Sequence, residues 1–167
     1  MINNSNGTLF ARIIMEGIPA AGEEKEFSNN LNLSASYFTL EGDEIDVTRI
    51  SQGTDFMAVV TISNPSAVFY KNLALTQIFP PGWEISNSRM ENDDFASNDN
   101  PEYMDIRDDR IYTYFDLGSN ERKTFRVKLN AAYLGKFYLT GVYCEAMYDN
   151  SISAMKRGEW VEVVNAD

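Results

Sequence analysis

Eight residues, Asp55-Phe56-Met57-Ala58-Val59-Val60-Thr61-Ile62, alternate in character with period two and stop at the turn formers Ser63-Asn64-Pro65-Ser66. Successive side chains on a strand point to opposite faces, so this run reads as a central strand with one buried face. Comparable runs cover Leu9 to Met15, Leu31 to Leu40, Leu73 to Phe79, Arg110 to Asp116, Lys123 to Ala132, Lys136 to Met147 and Glu159 to Val164. Gly42-Asp43, Pro80-Pro81-Gly82, Gly118-Ser119-Asn120 and Leu134-Gly135 separate them with residues that suit tight turns. An apolar period of 3.6 is nowhere sustained beyond two turns. The expectation is an all-β chain, an antiparallel β-sandwich of about eight strands with at most a short helix in a connection.

A chain of 167 residues is long enough for one domain with a real core. Residues 1–8 are expected to lie outside it as a leader, and 9–167 to form a single sandwich. Val59, Ile62, Phe115, Phe125, Val127 and Phe137 are expected core positions. In Val142-Tyr143-Cys144-Glu145-Ala146-Met147 the alternation turns Val142, Cys144 and Ala146 inward and Tyr143, Glu145 and Met147 outward. A turn at Asp149-Asn150 is then expected to release Tyr148 from the pattern.

Composition narrows the chemistry. Histidine is absent, which removes the commonest general base, the usual partner of a nucleophilic serine or cysteine, and the commonest zinc ligand. The formal net charge of −11 repels phosphate backbones, so no nucleic-acid partner is expected. No window approaches the roughly 18 to 20 consecutive apolar residues of a membrane helix, and no membrane contact is expected of this domain. Cys144 is the only cysteine and reads as a buried, inert thiol. Met1-Ile2-Asn3-Asn4-Ser5-Asn6-Gly7 has neither a charged nor an apolar leader segment, so an export signal or lipid anchor is expected elsewhere.

Between Asn87 and Asp109, Glu91, Asp93, Asp94, Asp99, Glu102, Asp105, Asp108 and Asp109 crowd into one connection. Several carboxylates could supply oxygen ligands to calcium, but the Asp-x-[Asp/Asn]-x-[Asp/Asn]-Gly spacing is missing, and a solvated loop without metal is the reading adopted. Adjacent carboxylates such as Asp108-Asp109 or Glu23-Glu24 would face opposite ways on a strand, which makes them poor acid–base pairs. Arg107, Asp108, Asp109 and Arg110 read as a salt-bridged strand entrance. No catalytic residue, cofactor or enzymatic activity is expected.

Three ordered motifs carry a family resemblance. Pro80-Pro81-Gly82-Trp83-Glu84-Ile85, with Asn87 and Arg89 following, resembles a turn and strand in the last domain of bacterial alpha-2-macroglobulins. Tyr103-Met104-Asp105-Ile106-Arg107-Asp108-Asp109-Arg110-Ile111, with Phe115-Asp116-Leu117, resembles that domain's Arg-Asp-Asp-Arg strand. Gly135-x-Phe137 and then Glu145-Ala146-Met147-Tyr148-Asp149 resemble its carboxy-terminal signature. Gly17-Ile18-Pro19 and Gln52-Gly53-Thr54 also sit where the family would have them. Thr140-Gly141 and Asn150 depart from the pattern, standing where the family usually has prolines.

The resemblance implies a macroglobulin, immunoglobulin-like sandwich from a large envelope protein, periplasmic in Gram-negative bacteria, that entangles an attacking protease. Within it the domain would be non-catalytic, packing against a helical thioester-type domain and stabilising the uncleaved state; target proteases would be met through the parent. The family's Cys-x-Glu-Gln thioester motif is absent here. Glu145, Met147, Tyr148 and Asp149 are the candidate interdomain surface, since Met and Tyr give an adaptable apolar contact with a polar handle. The alternative is a periplasmic or cell-surface recognition sandwich binding glycan or protein, which would show two or three exposed aromatic platforms on one face.

Overall fold

The computed structural model describes residues 7, 8, 10, 12–14, 17, 19–86 and 101–166. Among them are thirteen strands and no helix: β1 (Phe27–Asn29), β2 (Asn32–Thr39), β3 (Arg49–Ser51), β4 (Asp55–Ser63), β5 (Tyr70–Ile78), β6 (Trp83–Ile85), β7 (Tyr103–Ile106), β8 (Arg110–Leu117), β9 (Arg122–Ala131), β10 (Gly135–Leu139), β11 (Val142–Ala146), β12 (Asp149–Lys156) and β13 (Glu159–Val164). Strand order is β1-β12-β11-β5-β8-β7 in a six-stranded sheet, β2-β4-β9-β6 in a four-stranded sheet, and β10-β13-β3 in a three-stranded sheet. Among the described residues every strand pairing is antiparallel except β13 with β3.

The four-stranded sheet has one inner face shared by two apolar clusters. Val60 and Ile62 of β4 and Phe125 of β9 meet Leu73, Leu75, Phe115, Leu117, Val142 and Cys144 of the six-stranded sheet. Phe56 and Ala58 of β4, with Val127 and Leu129 of β9, meet Ile50, Leu139, Val161 and Val163 of the three-stranded sheet. One layer of the sandwich is thus a single sheet and the other is split in two. Fully buried Gln77 of β5 lies in sequence between Leu75 of the first cluster and Phe79, just past the strand, of the second, and Thr113 of β8 between Ile111 of the second and Phe115 of the first.

The chain crosses between the three-stranded and six-stranded sheets twice at one place, from β10 to β11 and from β12 to β13. Gly141 and Gly158 make this possible. A Cβ on Gly141 would lie 2.5 Å from the Lys156 carbonyl oxygen, and one on Gly158 would lie 2.5 Å from that of Leu139. Only residues without a side chain let the backbones approach so closely. The run from Lys136 to Met147, expected as one strand, is therefore two strands in different sheets.

Ile62, Phe115, Phe125 and Val127 are buried as expected, and Phe137 is half-buried against the second cluster. Val59 is not a core residue. Phe56, Ala58, Val60 and Ile62 take the inward positions of β4, so Val59 falls on the opposite, half-covered face with Met57 and Thr61. Residues three apart on a regular strand cannot both point inward. Of the run from Leu9 to Met15, the described residues Phe10, Arg12, Ile13 and Ile14 are exposed and belong to no strand, and Leu9, Ala11 and Met15 lie outside the described residues.

Candidate functional site

At one end of the six-stranded sheet, β11 and β12 are joined by a two-residue turn, Met147-Tyr148, because Ala146 pairs directly with Asp149. The turn comes two residues earlier than expected, and Asp149 and Asn150 begin β12. Three local devices hold it. The Met147 N–H donates to the Asn72 carbonyl (3.0 Å), and Asn72, in the left-handed region at φ 55°, donates its own N–H to Asp116 Oδ1 (2.8 Å). Asp149 Oδ1 accepts from the N–H and Oγ–H of Ser151 (3.0 and 2.7 Å). Those two bonds hold the Asp149 carboxyl below its usual pKa. Glu145 sits one step back, half-buried, and accepts from the Tyr143 hydroxyl at 2.8 Å. Burial first, and that bond second, push the Tyr143 pKa up to about 12.

Beside this turn lies a pair that sequence reasoning passed over. Val68 and Phe69, in the connection from β4 to β5, are 64% and 52% exposed, next to Met147 at 49% and Tyr148 at 82%. Val68, Phe69, Tyr70, Ala146, Tyr148 and Ile152 line a groove of about 320 Å³ between the connection and the turn. Buried Asn64 shapes the connection. Its Nδ2 donates to the carbonyls of Val68 (2.6 Å) and Gly118 (2.9 Å), and its Oδ1 accepts from the N–H and Oγ–H of Ser66 (2.9 and 2.8 Å). The signal for this pair was the apolar run Ala67-Val68-Phe69-Tyr70 directly after a turn former.

Arg107, Asp108 and Asp109 are at the opposite end of the same sheet, in the tight turn between β7 and β8, and Arg110 begins β8; the Arg107 N–H donates to the Arg110 carbonyl (2.9 Å). The turn is closed on itself electrostatically. Arg107 pairs with Asp105 at 3.0 Å, and Arg110 grips Asp109 through Nε and Nη2 at 2.8 and 2.6 Å. The Arg110 guanidinium holds the Asp109 carboxyl below its usual range. The two groups of candidate residues are therefore not one site: β5 and β8 separate them along their full length.

Cys144 is fully buried, and desolvation raises its thiol pKa far from a reactive range. Of the acidic connection, Glu91, Asp93, Asp94 and Asp99 lie outside the described residues, whereas Asp105 and Asp109 are engaged by arginines. Among the described residues no group of three potential metal ligands comes together. On the three-stranded sheet Trp160 is half-exposed, but the Tyr138 ring edge (5.4 Å) and Lys136 Nζ (5.6 Å) already crowd its ring.

Residues 31–150 match the family model described as the bacterial alpha-2-macroglobulin MG10 domain. The chain belongs to the bacterial alpha-2-macroglobulin family and is a macroglobulin domain of it. An alpha-2-macroglobulin of Pasteurella multocida is 27% identical over 158 residues, covering 95% of this chain, and an alpha-2-macroglobulin homolog of Yersinia pestis is 26% identical over 79% of it. The chain spans about 8% of the length of each of these curated relatives. In fold it is similar to native alpha-2-macroglobulin of Escherichia coli from domain MG7 to the C-terminus, with a TM-score of 0.77, 14% identity, and coverage of 90% of this chain and 25% of that one. Salmonella alpha-2-macroglobulin reacted with methylamine gives a TM-score of 0.73 at 19% identity, over 88% of this chain and 10% of that one.

Proposed function

We propose that this domain is a non-catalytic packing module of a protease trap, and that its Met147-Tyr148 turn docks on a thioester-type domain of the same parent chain, holding that domain shut until a protease cuts. The observation that carries the reading is the turn itself: two large side chains, one of them 82% exposed, held out by a fixed backbone at the end of a sheet. Exposed apolar residues that are held in place and contiguous mark interaction sites more often than single scattered ones do. A periplasmic or cell-envelope setting belongs to the same reading, as does contact with target proteases through the parent alone.

Two measurements test it. In a full-length parent that carries a thioester, Met147→Ala with Tyr148→Ala speeds its reaction with methylamine; an unchanged rate refutes the docking. The domain alone, incubated with trypsin-like and elastase-like enzymes, leaves their rates on small and large substrates unaltered; stoichiometric inhibition would sink the assignment.

A further inference from the structure

We infer that the docking surface has a second wall, the β4–β5 connection, and that the groove between the walls receives one uncharged apolar side chain from the neighbouring domain of the parent. The inference rests on the docking reading above and adds residues and a partner chemistry to it.

The first support is the way the connection is built. A short loop carrying valine and phenylalanine could fold them onto the core, because Tyr70, the next residue, is buried there. Asn64 prevents this. Two donations and two acceptances satisfy its side-chain amide, and the Val68 carbonyl is one of its partners. The Val68 N–H is tied as well, to Ser66 Oγ at 3.2 Å, and the Ser66 carbonyl accepts from the Asn120 N–H at 3.0 Å. A buried, fully satisfied amide rigidifies the backbone around it. Here it rigidifies a segment that keeps two apolar side chains in water, an arrangement unfavourable for the domain alone and useful only when something covers them.

The second support is continuity. Val68 and Phe69 line the same groove as Tyr148, and the carbonyl of Asn72, three residues beyond Phe69, fixes the Met147 N–H. Whatever covers Tyr148 must reach the groove. Its volume of about 320 Å³ has room for one large protruding side chain. Its charged neighbours are one of each sign, Lys71 and Asp149, so an uncharged residue is favoured over an ionic one. The occupant is part of the parent because this chain spans only 8% of its curated relatives, whose remaining length is ample to supply a neighbour.

Hydroxyl-radical footprinting of the intact full-length parent tests the inference without a variant. Phe69 is expected to be as strongly protected as Met147 and Tyr148, with protection lost from all three when the parent is denatured. Val68→Ser with Phe69→Ser is expected to raise the labelling of Tyr148 in the folded parent, and Met147→Ala with Tyr148→Ala to raise that of Phe69. If Tyr148 is protected while Phe69 is labelled freely, the second wall is wrong and the docking reading stands. If both are labelled freely, the docking reading falls and takes this inference with it.

Discussion

The six-stranded sheet ends in a tight turn at each side of its β5–β8 centre, and the two turns carry opposite side chains. The β7–β8 turn holds two arginines and two aspartates, and its arginines are consumed by neighbours on the same hairpin. The β11–β12 turn holds methionine and tyrosine, with valine and phenylalanine set beside them by Asn64. Charged groups remain solvated and paired in the free domain, whereas apolar ones in water gain when they are covered. The difference teaches that sequence similarity to a family signature does not by itself mark a contact surface. Both turns carry motifs resembling the family's, yet only one leaves surface that a partner would relieve.

The largest effect should come from the core that joins the two ends. Phe115 is fully buried between the sheets against Phe125, and Phe115→Ala should cost about 3–5 kcal/mol in chemical denaturation. Ile62→Ala should cost about 2–5 kcal/mol and Val59→Ala clearly less, because only Ile62 faces that core. Equal losses at 59 and 62 would mean that the register of β4 is wrong.

Next in size is the support of the apolar end. Asn64→Ala removes four side-chain hydrogen bonds and should destabilise the domain by about 1–3 kcal/mol, visible as a lower denaturation midpoint. A neutral result would mean that the connection is not held as described. Met147→Ala with Tyr148→Ala should change the stability of the domain alone by no more than about 0.5 kcal/mol, since neither side chain fills the core. Arg107→Ala with Arg110→Ala should leave the thermal midpoint nearly unchanged too, so that the two ends differ only once a partner is present.

The smallest expected effect is on pH dependence. The Tyr143 pKa is raised above its ordinary value of 10.0 to about 12, so the folded state favours the protonated phenol. The stability this contributes is complete below pH 10 and is lost as pH climbs through about 12. Tyr143→Phe should flatten that alkaline limb of the denaturation profile; an unaltered limb would place the raised pKa elsewhere.

Much of this was legible in the sequence. Period two located β4, β5, β8 and β9, and it oriented Val142, Cys144 and Ala146 correctly, because long half-buried strands impose alternation on their residues. Short pieces were not legible. β3 has three residues, and its parallel partner β13 is more than a hundred positions away, so no local pattern announces it. β12 was missed because Asn150, Ser151 and Ser153 are poor strand formers that its neighbours on both sides hold in the sheet. Conversely, Leu9 to Met15 reads as a strand, but its described residues, Phe10 and Arg12 to Ile14, have no partner strand, since apolar character alone supplies none. At the candidate site, Met147 and Tyr148 were singled out, whereas the apolar run Ala67-Val68-Phe69-Tyr70 signalled Val68 and Phe69 without showing that they stay exposed, because that exposure goes with the Asn64 network formed with the distant Gly118.

The most direct test of the central claim is a structure of the full-length, uncleaved parent. Met147 and Tyr148 are expected to be buried there against another domain of the chain, while Arg107 to Arg110 stay in solvent. If Met147 and Tyr148 face solvent in the parent as they do in the domain alone, the claim that this turn is the docking surface is contradicted.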